Sequence, residues 1–184
     1  MKPIGKLVII GGAVNVGSFS EISYDQDVEK NLNFFERGIL KKIISESRLK
    51  EDSVIEIITT ASQIPDIVGP EYIKAFTHLG AKHVNVLDIF TREQANSEEI
   101  VARINAADVV MFTGGDQLRL TSILGGTLFH DALLNKYQNE DFIYAGTSAG
   151  AAAASENMIY QGKCYCGYTL CTTWQNGASL PSGG

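Results

Sequence analysis

The chain has 184 residues, of which 45% are hydrophobic and 20% charged, with a net charge of −6 and a pI near 5.0. This size suggests one domain with a sizeable core. The acidic balance argues against a general nucleic-acid binder, and the sequence contains no run of about 18 apolar residues that would span a membrane.

The opening run Leu7-Val8-Ile9-Ile10 reads as a fully buried strand ending at Gly11-Gly12. It is too short for a signal peptide, so the cytoplasm is the default compartment. Ala13 to Asp27 reads as a loop. It has neither a Walker-type lysine nor G-x-G-x-x-G spacing, so nucleotide binding has no support and no cofactor is expected. Val28 to Ser47 reads as a helix, with Val28, Leu32, Phe35, Ile39 and Ile43 on one apolar face and Lys41, Lys42 and Glu46 toward water. Val54–Ile58 is the second strand, rich in β-branched residues. Thr59-Thr60-Ala61-Ser62 leaves it as a polar loop punctuated by Pro65 and Pro70, and a helix follows from Glu71 to Leu79, ending at Gly80.

Val84–Leu87 is the third strand. Asn96 is expected to start a helix, with Glu99 as a capping-box-like partner and Ile100, Val101 and Ile104 on its apolar face. Val109–Phe112 is the fourth strand, closed by Thr113-Gly114-Gly115-Asp116-Gln117. Helices are expected from Leu118 to Leu124 and from Leu128 to Tyr137, separated by Gly125-Gly126. Phe142–Ala145 is the fifth strand. Strand and helix alternate and the strands are apolar, which predicts an α/β domain: a mostly parallel sheet with helices on both faces. Its functional surface should lie at the carboxyl ends of the strands, where Gly11-Gly12, Thr59-Thr60, Gly114 to Gln117 and Ser148 all fall.

The fifth strand leads into Gly146-Thr147-Ser148-Ala149-Gly150 and then the alanine run 151–154, a strong helix former. Strand, glycine-bounded turn and helix, with a serine at the apex, make the nucleophile-elbow pattern. The glycines let the backbone turn sharply, and the helix start aims N–H groups at the site, which suits a developing oxyanion. The same pattern could also be a tight turn whose serine caps the helix or holds a phosphate.

After residue 160 the composition changes. Gln161 to Gly184 holds one charged residue, Lys163, together with Cys164, Cys166, Cys171 and Trp174, and shows no helical or strand period. Three clustered cysteines are not a disulfide framework, and with no histidine nearby they lack the further ligands of a zinc site; free thiols and no metal are expected. The division expected is an α/β hydrolytic domain at 1–161 and an atypical tail at 162–184, read as a loop-like extension, a truncation or a reading-frame change near Gly162.

Gly146 to Ala151, taken with Thr113 to Leu120, resembles the cyanophycinase family of serine peptidases, which is related to aspartyl dipeptidase. The likeness runs from about Leu7 to about Gln161 and takes in Gly11-Gly12-Ala13 and Ser155 to Tyr160. It implies a class I glutamine amidotransferase-like or flavodoxin-like fold. It also implies hydrolysis of cyanophycin, a poly-aspartate carrying arginine on each side chain, to β-aspartyl-arginine dipeptides, by a homodimer without nucleic-acid or membrane partners. By the same resemblance Ser148 is the nucleophile, the Ala149 N–H is one oxyanion donor, the Gly115–Asp116 backbone supplies the other, and Gln117 lines the substrate pocket. Helix capping is the competing role for Asp116 and Gln117. The family's general-base histidine follows the nucleophile, whereas this sequence has only His78, His83 and His130. A serine without a base is a poor nucleophile, so these 184 residues alone are expected to be inactive or nearly so. The alternatives are a non-catalytic relative that binds a small peptide, a β-aspartyl dipeptidase, or another hydrolase or amidotransferase of similar fold; the amidotransferases use a cysteine where this chain has Ser148.

Overall fold

The computed structural model describes residues 2–11, 38–165 and 168–175, with side chains described up to residue 159. The loop expected at Ala13–Asp27 and the first half of the helix expected from Val28 lie outside the described residues. Five strands form one sheet: β1 (Lys6–Ile10), β2 (Val54–Ile58), β3 (His83–Leu87), β4 (Val109–Phe112) and β5 (Ile143–Thr147). Every pairing in it is parallel, and the order is β1-β5-β4-β2-β3. Strands β2 to β5 thus follow the flavodoxin-like order, with β1 in the place of that fold's last strand. The order reverses at β2, so the switch-point crevice opens between the carboxyl ends of β2 and β4.

Helices cover both faces. On one side α1 (Ile39–Glu46) and α2 (Pro65–His78) bury Leu40, Ile43, Ile44, Tyr72 and Phe76 against Ile55, Ile57, Val109, Met111 and Ile143. On the other side α3 (Arg92–Ala95), α4 (Glu98–Ala106), α5 (Gln117–Leu124) and α6 (Leu128–Asn139) bury Ile100, Ile104, Leu120, Leu124 and Phe129 against Ile58, Val110, Phe112 and Tyr144. The short α7 (Ala149–Ala153) leaves β5 on this same side, with Ala149 in the core. An alternation of apolar strands and amphipathic helices therefore yields two cores, one per sheet face.

Several expectations are corrected. β1 is not fully buried: Leu7 and Ile9 are about half exposed, because β1 pairs only with β5 among the described residues. In α1, Ile39 faces out and Leu40 faces in, while Lys41, Lys42 and Glu46 face water as expected. The second helix starts at Pro65, not Glu71. Pro65 takes the first turn, where no N–H is needed, and Pro70 lies inside the helix rather than in a loop. The capping box sits at Thr91 and Gln94, around α3, and the next helix is capped by Ser97 rather than Asn96. β2 is not purely apolar: Glu56 is buried and receives both Arg103 Nε at 3.2 Å and Nη2 at 2.5 Å. The stretch after residue 157 does have regular structure, for β6 (Asn157–Tyr165) and β7 (Tyr168–Gln175) form an antiparallel hairpin. β6 runs across position 161, the boundary expected between domain and tail.

Candidate active site

The elbow forms because each residue of Gly146–Gly150 meets a steric or hydrogen-bonding demand. A Cβ on Gly146 would lie 2.5 Å from the Gly150 carbonyl, so only glycine lets α7 cross so closely over the end of β5. A Cβ on Gly150 would lie 2.5 Å from Phe112 Cβ and 2.8 Å from the Phe112 carbonyl oxygen, so glycine is required where α7 packs on β4. Between them Ser148 adopts φ 50°, ψ −106° and is exposed. A non-glycine residue there stores strain of about 1–3 kcal/mol, which the surrounding structure must hold in place. It is held from both sides: the Ser148 N–H donates to the Ile10 carbonyl at 3.0 Å, and the Ser148 carbonyl accepts from the Ala152 N–H at 2.9 Å.

The loop after β4 lies against this turn. A Cβ on Gly114 would sit 3.5 Å from Ser148 Cβ, so the glycine brings the two loops into contact without a side chain between them. Gly115 has φ 142°, and a Cβ there would overlap the Ala61 carbonyl. That close approach sets up the bond from the Asp116 N–H to the Ala61 carbonyl oxygen, 2.9 Å, which ties the loop after β4 to the loop after β2. Arg119 Nη1 adds a second tie, donating to the Ser62 carbonyl at 3.2 Å. Thr59 Oγ1 and Thr60 Oγ1 carry the network on to Asp88 and to the Ile89 carbonyl after β3. The carboxyl edge of the sheet is thus one connected polar rim.

Each residue singled out in the sequence can now be placed. Ser148, Ala149, Gly115, Asp116 and Gln117 all lie at this edge. Among the described residues the Ala149 and Gly115 N–H groups have no acceptor; Ala149 opens α7 directly after Ser148, and Gly115 lies in the loop that meets that turn. The Asp116 part of the oxyanion expectation is corrected: its N–H is taken by Ala61, and its carboxylate caps α5, accepting from Leu118 N at 2.8 Å and Arg119 N at 3.1 Å. Gln117 opens α5, and its Nε2 donates to the Ile159 carbonyl of β6 at 3.3 Å, linking the site edge to the hairpin. Sequence reasoning missed the Ile10 and Ala61 carbonyls, since backbone acceptors leave no trace in residue type. It also missed Tyr144, read only as part of an apolar strand.

Removing the Asp116 cap is a mild perturbation. Asp116→Ala should lower stability by about 1 kcal/mol, seen as a fall of roughly 2–4 °C in the thermal midpoint. A fall as large as that of a buried core truncation would show that the carboxylate does more than cap.

The three histidines are elsewhere. His83 opens β3 at the amino edge, opposite Val54, and His78 ends α2, the helix that returns to that edge. His130 accepts the Gly126 N–H at Nδ1, 3.3 Å, and lines a largely apolar cavity of about 380 Å³ between β1, α5, α6 and α7, which Ser148 does not line. No group of three or more metal-ligating side chains occurs among the described residues, and no described helix is long and apolar enough to cross a membrane.

Known proteins resemble this chain in sequence and in fold. The chain is 42% identical over 108 residues to the cyanophycinase of a Nostoc species, which is 59% of this chain and 36% of that protein. It is 35% identical over 111 residues to the cyanophycinase of Geminocystis herdmanii, 60% of this chain and 41% of that one. The chain therefore spans little more than a third of the length of these curated relatives. The fold matches the crystal structure of a peptidase from an acI-B1 actinobacterium with a TM-score of 0.64 at 21% identity, over 85% of this chain and 59% of that one. The model of peptidase family S51 matches residues 32–166, which hold both the Gly114–Gln117 loop and the strained serine turn. With nearly three quarters of its length inside that match, the chain belongs to peptidase family S51.

Proposed function

We propose that the chain is the nucleophile-bearing part of a serine peptidase that hydrolyses cyanophycin to β-aspartyl-arginine dipeptides. One observation carries this reading: Ser148 is exposed on a strained turn, where the start of α7 meets the loop after β4, and the N–H groups of Ala149 and Gly115 there have no acceptor among the described residues. A base takes the Ser148 Oγ proton as the oxygen attacks the scissile carbonyl; the oxyanion that forms is met by the two N–H groups, its collapse breaks the C–N bond and expels the amine with that proton, and water then releases the acyl group. Because the donors are backbone groups of a tied loop and a packed helix, they need little reorganisation as charge develops. Gln117 lines the pocket beside them. The substrate assignment is supported by the name shared by the curated relatives. The same reading takes the protein to be cytoplasmic and homodimeric, which fractionation and sedimentation would test.

The discriminating experiment offers cyanophycin and ordinary α-peptides to the protein extended by a histidine-bearing carboxyl-terminal segment of a relative. Turnover should be confined to cyanophycin and β-aspartyl-arginine, and equal rates on α-peptides would remove the assignment.

One observation favours a second reading, a non-catalytic relative that binds a small peptide: His78 and His83 lie at the opposite edge, and His130 faces a cavity that Ser148 does not line.

A further inference from the structure

Behind the elbow a buried tyrosine takes the place of a backbone donor. Tyr144, in β5, is 8% exposed. Its ring stacks on Phe112 with centroids 4.7 Å apart and planes 23° from parallel, and Phe112 meets Phe129 of α6 edge-on at 6.2 Å. Its hydroxyl donates to the Gly150 carbonyl oxygen at 2.6 Å. In a longer helix that carbonyl would accept the N–H four residues on. Here α7 stops after five residues, and the Ala154 N–H turns instead to the Ala151 carbonyl at 3.3 Å. The hydroxyl supplies the donor that the helix lacks.

A five-residue helix has no stability of its own. It also carries the helix side of a turn whose serine sits at φ 50°. If α7 could tilt, that turn could relax, and the Ala149 N–H would swing with it. The strand side is pinned by Ser148 N–H to Ile10; the helix side has glycine where it meets Phe112, so no side chain of its own locks it there. We propose that Tyr144 is a positioning residue: by gripping the Gly150 carbonyl it fixes α7, and through α7 the directions of the Ala149 N–H and of Ser148 Oγ. This rests on the reading of Ser148 as the nucleophile. Burial raises the Tyr144 pKa above its ordinary value, so the hydroxyl keeps its proton and remains a donor.

The test takes as parent the chain extended by the histidine-bearing carboxyl-terminal segment of a relative, and measures how fast a fluorophosphonate ester phosphonylates Ser148, the serine proton passing to the base and fluoride leaving, followed by mass spectrometry of the Ser148 peptide and with Ser148→Ala as the zero line. Tyr144→Phe keeps the ring stack and removes only the donor. It should slow labelling about tenfold or more, as a small misplacement of reacting groups does. Phe112→Leu, which keeps the hydroxyl but frees the ring that carries it, should slow labelling about threefold or more by the same misplacement. Ile104→Val, in the same core but in α4, serves as the stability control and should label at the parent rate. Parent-like labelling of either Tyr144→Phe or Phe112→Leu overturns the proposal. So does equal slowing in Ile104→Val, which would mean that stability alone is being read. Absence of Ser148 labelling in the parent protein overturns the nucleophile reading, and this one with it.

Discussion

Gly115→Ala should lower the thermal midpoint by about 10 °C and displace the loop beside Ser148. Two costs combine. At φ 142° an L-residue sits in a region open essentially to glycine, at about 1–3 kcal/mol. The new Cβ would also overlap the Ala61 carbonyl oxygen and carbon, both backbone atoms that no rotamer change can move. Relief requires the loops after β2 and β4 to part, which breaks the bond from the Asp116 N–H to the Ala61 carbonyl and leaves polar groups unpaired at roughly 1–3 kcal/mol. A total of about 3–5 kcal/mol corresponds to roughly 2–4 °C per kcal/mol at this chain length. Gly126→Ala is the control: it too has positive φ, 65°, but open space around it, so it should cost only about 1–2 kcal/mol. Thermal and urea unfolding of the two variants side by side would decide. Equal losses would mean that the Gly115 contact with Ala61 is not what holds the loops together.

That contrast also marks where the sequence was legible. β2, β3 and β4 are short runs rich in β-branched and other apolar residues, and the structure places them within a residue of their expected bounds. The elbow was legible because glycines bracket a serine between a strand and a helix former; the structure supplies the reason for the glycines, the close approaches to Gly150 and Phe112. What was not legible depends on neighbours distant in sequence. An apolar run such as Leu7–Ile10 reads the same whether it is central or at an edge; only the strand order shows that Leu7 and Ile9 face outward. Residue type says nothing of which way an N–H points, so Gly115 and Asp116 looked alike as donors until the Ala61 carbonyl was seen to take one of them. The hairpin after residue 157 escaped because its strands carry no two-residue alternation of apolar and polar side chains.

A polypeptide of these 184 residues should hydrolyse cyanophycin at no more than a residual rate, and a histidine-bearing extension should raise it by three orders of magnitude or more. A serine hydroxyl attacks effectively only when a base removes its proton, and the same base later protonates the leaving group. Among these residues the histidines are badly placed: two at the far edge of the sheet, the third turned to Gly126 and to an apolar cavity. Lys163 is the one cation after Ser148 in the sequence, and a lysine serves as base only when burial lowers its pKa strongly. The two proposed oxyanion donors and the proposed substrate binding would still act without a base and could leave roughly 10³-fold acceleration over water. Three proteins separate the contributions: the 184-residue chain, its Ser148→Ala variant, and the chain extended by the carboxyl-terminal segment of a relative. The first two should differ little, because without a base the serine contributes little beyond what the donors provide. The extended protein should lose its gain on Ser148→Ala. An enzyme-like rate from the 184-residue chain that Ser148→Ala abolishes would refute the prediction and require the base to be sought in Lys163, in His130 or in a second subunit. A failure of the extension to confer any Ser148-dependent rate would instead favour the non-catalytic reading, in which the strained turn and its two N–H groups hold a peptide without cutting it.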